Sequence, residues 1–264
     1  MNKEDKKKLV DSYKHWWHSI DFGDGVWSDG EKANFLPVEK RMISEVEKWQ
    51  FPKNYFKGKR VLDIGSWDGY YAFLAEERGA SEVVALDLWS EKISLGFDKK
   101  TKEGFDIAKS IKNSNVIDID MNIYDATEEV LGKFDVVLFA GVLYHLQDPM
   151  RALRAIWNIM NENSSLMVET TTIPNSRGYG DATVAQFHPL TEADNDSTNF
   201  WCFSKSALKA VLEELNFVVK EFPRVVAEGE DAERSVCYCK KPVDRRNRLE
   251  QWKNELRENR VQNK

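Results

Sequence analysis

The chain has 264 residues, 42% of them hydrophobic, with a formal net charge of −6. That length buries a full core and fits one globular unit with appendages. No run of about eighteen apolar residues is present to span a membrane, and the acidic balance gives no broad electrostatic reason to bind nucleic acid.

The N-terminus, MNKEDKKKLV, is basic but has no apolar stretch behind it, which argues against a secretory signal. Tyr13 to Gly30 (YKHWWHSIDFGDGVWSDG) is rich in Trp and His and is broken by glycine turns. Two readings of its tryptophans stand side by side. Trp16, Trp17 or Trp27 forms the apolar wall of a lid that keeps water from a ligand, or Trp16 and Trp17 bury an N-terminal helix against a sheet.

Arg60 to Leu88 (RVLDIGSWDGYYAFLAEERGASEVVALDL) is the most informative stretch. A short apolar run (Val61, Leu62, Ile64) turns at Gly65, enters a helical pattern through Tyr71, Leu74 and Ala75, and returns in a second apolar run ending at Asp87. This is a βαβ unit. Gly65 permits a tight turn and close approach of a ligand. Asp87 stands where an acidic residue hydrogen-bonds a ribose diol. A dinucleotide fingerprint would need glycines where Trp67 and Tyr70 stand, and there is no lysine-bearing phosphate loop.

Residues 89–113 are polar and helix-compatible, a crossover to a third strand at Asn115–Asp120 (NVIDID). A turn carrying Tyr124 and Asp125 follows, and Asp125 also reads as the N-cap of a short helix. Phe134–Ala140 (FDVVLFA) is nearly continuously apolar, as a central parallel strand buried on both faces should be. It ends in GVLYHLQDP, after which Asp148-Pro149 opens a helix through Ala152, Leu153, Ile156 and Met160. Strands are expected at Ser165–Thr171, Phe217–Glu221 and Ser235–Lys240, with an amphipathic helix over Lys205–Leu215. Three cysteines (Cys202, Cys237, Cys239) are too few for a disulfide framework or a four-cysteine metal site, and no other metal-ligand spacing is apparent. Cys237 and Cys239 share one strand face as packed thiols, which fits a cytoplasmic protein.

Asp63, Gly65, Gly69 and the strand-end Asp87 together resemble the first motifs of class I S-adenosylmethionine-dependent methyltransferases, with Trp67 replacing a common middle glycine. The resemblance implies an α/β fold. Its core is a seven-stranded, mostly parallel Rossmann-like sheet with helices on both faces. A helical N-terminal lid (1–50), a cofactor-binding domain (51–241) and a charged helical tail (242–264) complete it. It implies S-adenosyl-L-methionine as cofactor, S-adenosyl-L-homocysteine as product, and no metal. The implied cofactor set is Asp63, Gly65, Ser66, Trp67, Gly69, Asp87, Leu88, Tyr124, Asp125 and Gly141, with Asp125 at the adenine amino group. Tyr144 falls beside the expected sulfonium, to stabilise it or to pack under the helix. His145 is the foremost general base, or else shapes the pocket.

GVLYHLQDP, HSIDFGDGV and NFWCFSKSALKAVLEELNF narrow the resemblance to the branch containing the tRNA wobble-uridine carboxymethyltransferase and its small-molecule relatives. Acceptor-side candidates are Trp27 in the lid segment, Glu169 at the end of the fifth strand, His188 in the loop AQFHPLTEADNDSTNFW, Trp201, and Arg234, which roughly matches an arginine of that branch. Three activities are open: methylation of a small-molecule acceptor, tRNA modification with a carboxylated donor, and non-methylating use of the cofactor, such as intramolecular cyclisation. The acidic residues around Arg234 (Glu228, Glu230, Asp231, Glu233) put tRNA second. The charged C-terminal tail is either solvated or packed on a partner subunit, as in a homodimer.

Overall fold

The computed structural model describes residues 1–30, 51–92, 101–174, 178–179, 181–188, 198–220, 224–227 and 233–243. The tail from 244 onward and residues 31–50 of the expected lid lie outside them.

α1 (Lys3–Ser12) opens the chain, capped by Asn2, whose side chain accepts from the Asp5 amide. The βαβ unit is β1 (Arg60–Ile64), α2 (Tyr70–Glu77) and β2 (Glu82–Asp87). The crossover carries α3 (Trp89–Lys92) and α4 (Thr101–Lys112), leading to β3 (Ile117–Asp120). After a 3-10 turn at Ile123–Asp125 come α5 (Glu128–Leu131) and β4 (Phe134–Ala140). A second 3-10 turn, Leu143–His145, precedes α6 (Pro149–Asn158). Asp148 caps α6 by accepting from the Arg151 amide, and Pro149 stands in its first turn, where a missing N–H costs nothing. β5 (Met160–Thr172), β6 (Ala185–Phe187), β7 (Trp201–Phe203), α7 (Lys205–Glu214), β8 (Val218–Val219), β9 (Arg224–Ala227) and β10 (Glu233–Lys240) complete the described elements.

The strand order is β3-β2-β1-β4-β5-β10-β8. The first five strands are parallel, and β10 and β8 are antiparallel additions. This is the expected mostly parallel sheet. Three short strands beyond the seven extend it: β7 pairs with β5 and β6, and β9 with β10.

Alternating side chains of each strand feed two cores. Leu62, Ile64, Leu86, Val137, Phe139, Leu166 and Val168 pack with α6 and α7 residues such as Leu153 and Leu208. Val61, Val83, Ala85, Val136, Leu138 and Met167 pack on the other face with α2 residues and Phe105 of α4. Helices therefore cover both faces, which is why these strands read as continuous apolar runs. Cys237 and Cys239 lie on one face, buried and not joined in a disulfide, their sulfurs 3.9 Å apart.

Several sequence expectations need correction. Met160 begins β5 and is not the last turn of a helix: α6 closes at Asn158, and Phe134 of β4 pairs with Met160. Asp125 does not cap α5; Thr127 holds that position. Helix accounts for only Lys3–Ser12 of residues 1–30. Residues 20–28 form a small hairpin, with Asp21 bridging Trp27 and Phe22 N–H donating to Val26 O. Val10, Tyr13, Trp16, Ile20, Phe22 and Val26 belong to the α2/α4 core. Trp16 therefore buries the N-terminal segment against the body, its Nε1 donating to Val10 O, whereas Trp17 remains 38% exposed.

Candidate active site

The carboxyl ends of β1, β2, β4 and β5 meet at one edge of the sheet, where open α/β sheets bind ligands. The loop after β1 is built tightly. Gly65 has φ +73°, and a Cβ there would stand 2.2 Å from Val142 Cγ2. Only glycine allows the β1 and β4 loops to approach so closely. Gly65 N–H donates to Leu86 O, and Gly69, at φ +84°, turns the chain into α2.

Asp87, a residue only 4% exposed, ends β2. Trp67 N–H donates to Oδ2 at 2.8 Å and Leu88 N–H to Oδ1 at 2.6 Å. The loop thus fixes the direction of this carboxylate, as recognition of a ribose diol requires. Trp67 adopts φ +51°, a strained conformation for a tryptophan, and its carbonyl accepts from Trp89 Nε1.

Asp63 has a different task. It is 1% exposed and accepts from Ser66 Oγ (2.7 Å) and Ala72 N–H (3.1 Å). Burial pushes its carboxyl up to about 7; the Ser66 bond opposes the shift, and the charge of Asp87 adds to it. Asp63 and Ser66 brace the loop from beneath.

On the β3 side, Tyr124 is anchored: its hydroxyl accepts from Asp148 N–H at 2.9 Å, and Arg151 lies 4.8 Å over its ring. Burial raises the Tyr124 hydroxyl pKa. Asp125 is exposed beside it.

The β4–β5–β10 edge gathers the polar acceptor-side residues. Glu169, 3% exposed, is held by Arg234 through two bonds, Nε to Oε1 at 2.5 Å and Nη2 to Oε2 at 2.7 Å. Burial opposes the guanidinium charge, but Glu169 and Tyr144 outweigh it and hold the charge more firmly than usual. Arg234 lies 4.9 Å over the Tyr144 ring. A cation already covers one face of that ring, so the Tyr144 hydroxyl, near Gly141, is the group turned toward the β4 loop. A Cβ at Gly141 would stand 3.4 Å from Arg234 Nη2 and 4.0 Å from the Tyr144 hydroxyl.

His145 is half-buried against Tyr144, with ring centroids 4.0 Å apart. Its Nδ1 lies 3.0 Å from Thr198 O. It also lies 3.1 Å from Thr198 Oγ1, so Thr198 orients the imidazole through this nitrogen. Phe200 N–H donates to Tyr144 O, and His188 N–H to Phe200 O. Trp201 Nε1 donates to Gln147 O at 3.3 Å, and the Trp201 ring meets Phe187 at 5.1 Å. The start of β7 therefore sits on the Tyr144–His145 turn, with β6 paired alongside it. Among the described residues, no hydrogen bond or ring contact joins Trp27 or the His188 side chain to this cluster; Trp27 lies in the N-terminal hairpin.

Thr198, Val142, His18 and Asp68 were missed by sequence reasoning. His18 Nδ1 and Asp68 Oδ1 lie 2.7 Å apart although 50 residues separate them in the chain. An acidic residue between Trp67 and Gly69 was visible, but nothing local linked it to a histidine so far upstream.

The strand order, the glycine turn after β1 and the carboxylate at the tip of β2 define the class I S-adenosylmethionine-dependent methyltransferase fold. A methyltransferase-domain family matches residues 38–221, and the chain belongs to that family. It is 30% identical over 156 residues to a tRNA U34 carboxymethyltransferase of Helicobacter pylori (strain Shi470), a match covering 56% of this chain and 54% of that protein. The chain spans about half the length of the curated relatives it matches. Among solved structures it resembles the N-terminal domain of EvdMO1 with S-adenosylhomocysteine bound (TM-score 0.61, 17% identity, 91% of this chain and 98% of that one). It also resembles the [4+2]-cyclase SpnF (TM-score 0.56, 14% identity, 91% and 93%). No described helix is long and apolar enough to cross a membrane.

Proposed function

We propose that the chain binds S-adenosyl-L-methionine and transfers its methyl group to a small-molecule acceptor, releasing S-adenosyl-L-homocysteine. Asp87 holds the ribose hydroxyls, with Leu88 fixing its carboxylate. The Gly65–Ser66–Trp67–Gly69 loop surrounds the methionine half, Tyr124 and Asp125 flank the adenine, and Gly141 closes the β4 side. When bound, the cofactor supplies an activated methyl carbon on a sulfonium, and the chain's task is alignment for in-line displacement. Orientation of that kind contributes several kcal/mol, roughly 7–11 in the best intramolecular cases.

The acceptor stands against Tyr144, His145 and the Glu169–Arg234 pair. Glu169 and Arg234 grip its polar group, and His145 accepts a proton from an oxygen or nitrogen acceptor. Trp201 and Phe187 provide apolar area beside the turn. The observation carrying this reading is the docking of residues 198–201 on the Tyr144–His145 turn, by Phe200 N–H to Tyr144 O and by the contacts of His145 Nδ1 with Thr198 O and Oγ1. Such a cover suits a small acceptor, which must be shielded from water.

A second reading, modification of tRNA, is favoured by the 30% identity to a tRNA U34 carboxymethyltransferase. The net charge of −6 weighs against it, because nucleic-acid affinity rests chiefly on phosphate neutralisation. The test is incubation with methyl-labelled S-adenosylmethionine, a fractionated metabolite extract and total tRNA in parallel. Label in small molecules together with release of S-adenosylhomocysteine is expected. Label confined to tRNA overturns the acceptor class, and product formed without S-adenosylhomocysteine overturns methyl transfer.

A further inference from the structure

Asp68 is fully buried, yet among the described residues none of its own loop donates to it. Its carboxylate accepts from Trp17 N–H (2.9 Å) and His18 N–H (2.8 Å) on Oδ2, and it meets His18 Nδ1 on Oδ1 at 2.7 Å. All three contacts come from the N-terminal segment. His18 is 7% exposed, its ring stacked on Tyr70 of α2 at 4.9 Å and 18°. Its Nε2 is buried with no hydrogen-bond partner among the described residues, so Asp68 alone secures the polar edge of that ring. The segment itself is stiffened from behind. Ser28 Oγ donates to His18 O and accepts from Ile20 N–H, and a Cβ at Gly30 would stand 2.4 Å from the His18 carbonyl carbon.

Directly before Asp68 stands Trp67, whose N–H orients Asp87 and whose ring lies 6.1 Å from that of Trp17. One peptide unit therefore joins the group that anchors the N-terminal segment to the group that sets the ribose carboxylate. Trp67 holds φ +51°, a conformation that persists only when its surroundings enforce it.

We propose that Asp68 is a positioning residue that couples docking of the N-terminal segment, through His18 and Trp17, to cofactor binding at Asp87. The inference rests on the cofactor reading above and adds to it a named clasp. Coupling between two such events is reciprocal. If a docked segment favours the cofactor, the cofactor tightens the segment by the same factor.

The probe is S-adenosylhomocysteine, with affinity read by calorimetry and segment docking by amide hydrogen exchange of residues 13–30. In the unaltered protein, the ligand should slow exchange across residues 13–30. Asp68→Ala should weaken affinity on the order of 5–150-fold, the usual range of site-to-site coupling, and should abolish the ligand-dependent slowing. Ser28→Ala is the comparison, because it loosens the same segment without touching the cofactor loop. It should raise exchange in residues 13–30 with and without ligand while retaining the slowing. Unchanged exchange in the unaltered protein on saturation with S-adenosylhomocysteine overturns the coupling while leaving the cofactor reading intact, and this arm needs no variant to fold. Affinity within twofold of the parent in a folded Asp68→Ala protein overturns it as well. Failure of the unaltered protein to bind at all removes the cofactor reading, and the coupling with it.

Discussion

Asp63 gives the sharpest quantitative test, because its environment opposes its charge and no solvent screens it. Its carboxyl is raised from an ordinary 3.8 to about 7, first by burial and then by the charges of Asp87 and Asp68. Between these two values the unfolded chain has lost the proton and the folded chain keeps it. The folded state then binds more protons, so stability falls as pH rises, beginning near the unfolded value and ending near the folded one. The span is about three units, and at 1.36 kcal/mol per unit the penalty reaches about 4 kcal/mol above neutrality. Asp63→Asn keeps an oxygen for Ser66 and Ala72 but cannot ionise. Urea unfolding of both proteins between about pH 4.5 and 8 isolates this one group, since every other titrating residue is shared. The stability of the variant relative to the parent should climb by roughly 1.4 kcal/mol per pH unit up to about pH 7 and then level off. A difference that is flat across this interval would refute the account of Asp63 as a buried, proton-retaining brace.

Asp87→Asn should weaken S-adenosylhomocysteine binding by tens of fold, since a hydrogen bond to a charged group is worth about 1.5–3 kcal/mol; unchanged affinity by calorimetry removes Asp87 from the site. Gly65→Ala should destabilise the fold by about 1–3 kcal/mol from the positive φ alone, with the Val142 overlap added. Pairing it with Val142→Ala should recover the overlap part in urea unfolding, and no recovery would show that the close approach is not what requires glycine. His145→Ala should lower turnover by about 10²–10⁴-fold with near-normal cofactor affinity if the imidazole takes a proton. An unchanged maximal rate with a raised acceptor KM would instead make it a binding group.

The central sheet was legible because burial on both faces leaves an unambiguous trace. β1, the end of β2 and β4 fall where Val61–Ile64, Asp87 and Phe134–Ala140 put them. β6, β7 and β9 left no such trace. They are three or four residues long, and β6 reads exposed–intermediate–exposed, so no alternating core face marks it. Met160 misled for a related reason: its apolar spacing continues the stripe of α6, yet the residue pairs with Phe134. In the candidate site, Asp87, Gly65, Tyr144 and His145 were legible because each belongs to a short local motif. His18 with Asp68, and His145 with Thr198, were not, because each pair is made by chain segments 50 or more residues apart. The Glu169–Arg234 pair joins two residues that were separately visible, and only the antiparallel register of β10 on β5 brings them together.

That division between local and distant signals bears on where acceptor choice resides. A [4+2]-cyclase shares this fold at 14% identity, so the sheet and its glycine loop do not decide the reaction. What the sheet does decide is the position of Gly141, Tyr144 and Glu169 at the ends of β4 and β5. The residues laid over them come from elsewhere: Thr198, Phe200 and Trp201 from the β6–β7 region and Arg234 from β10. Those groups reach the turn through Thr198, the N–H donors of Phe200 and Trp201 and the Arg234–Glu169 ion pair, none of which belongs to the glycine loop. Discrimination among acceptors is therefore expected to follow changes at Phe187, Trp201 and Arg234, while changes at Asp87 or Gly65 should affect all acceptors alike. A screen of acceptors on Trp201→Ala against Asp87→Asn separates the two, since altered relative rates should appear only in the first.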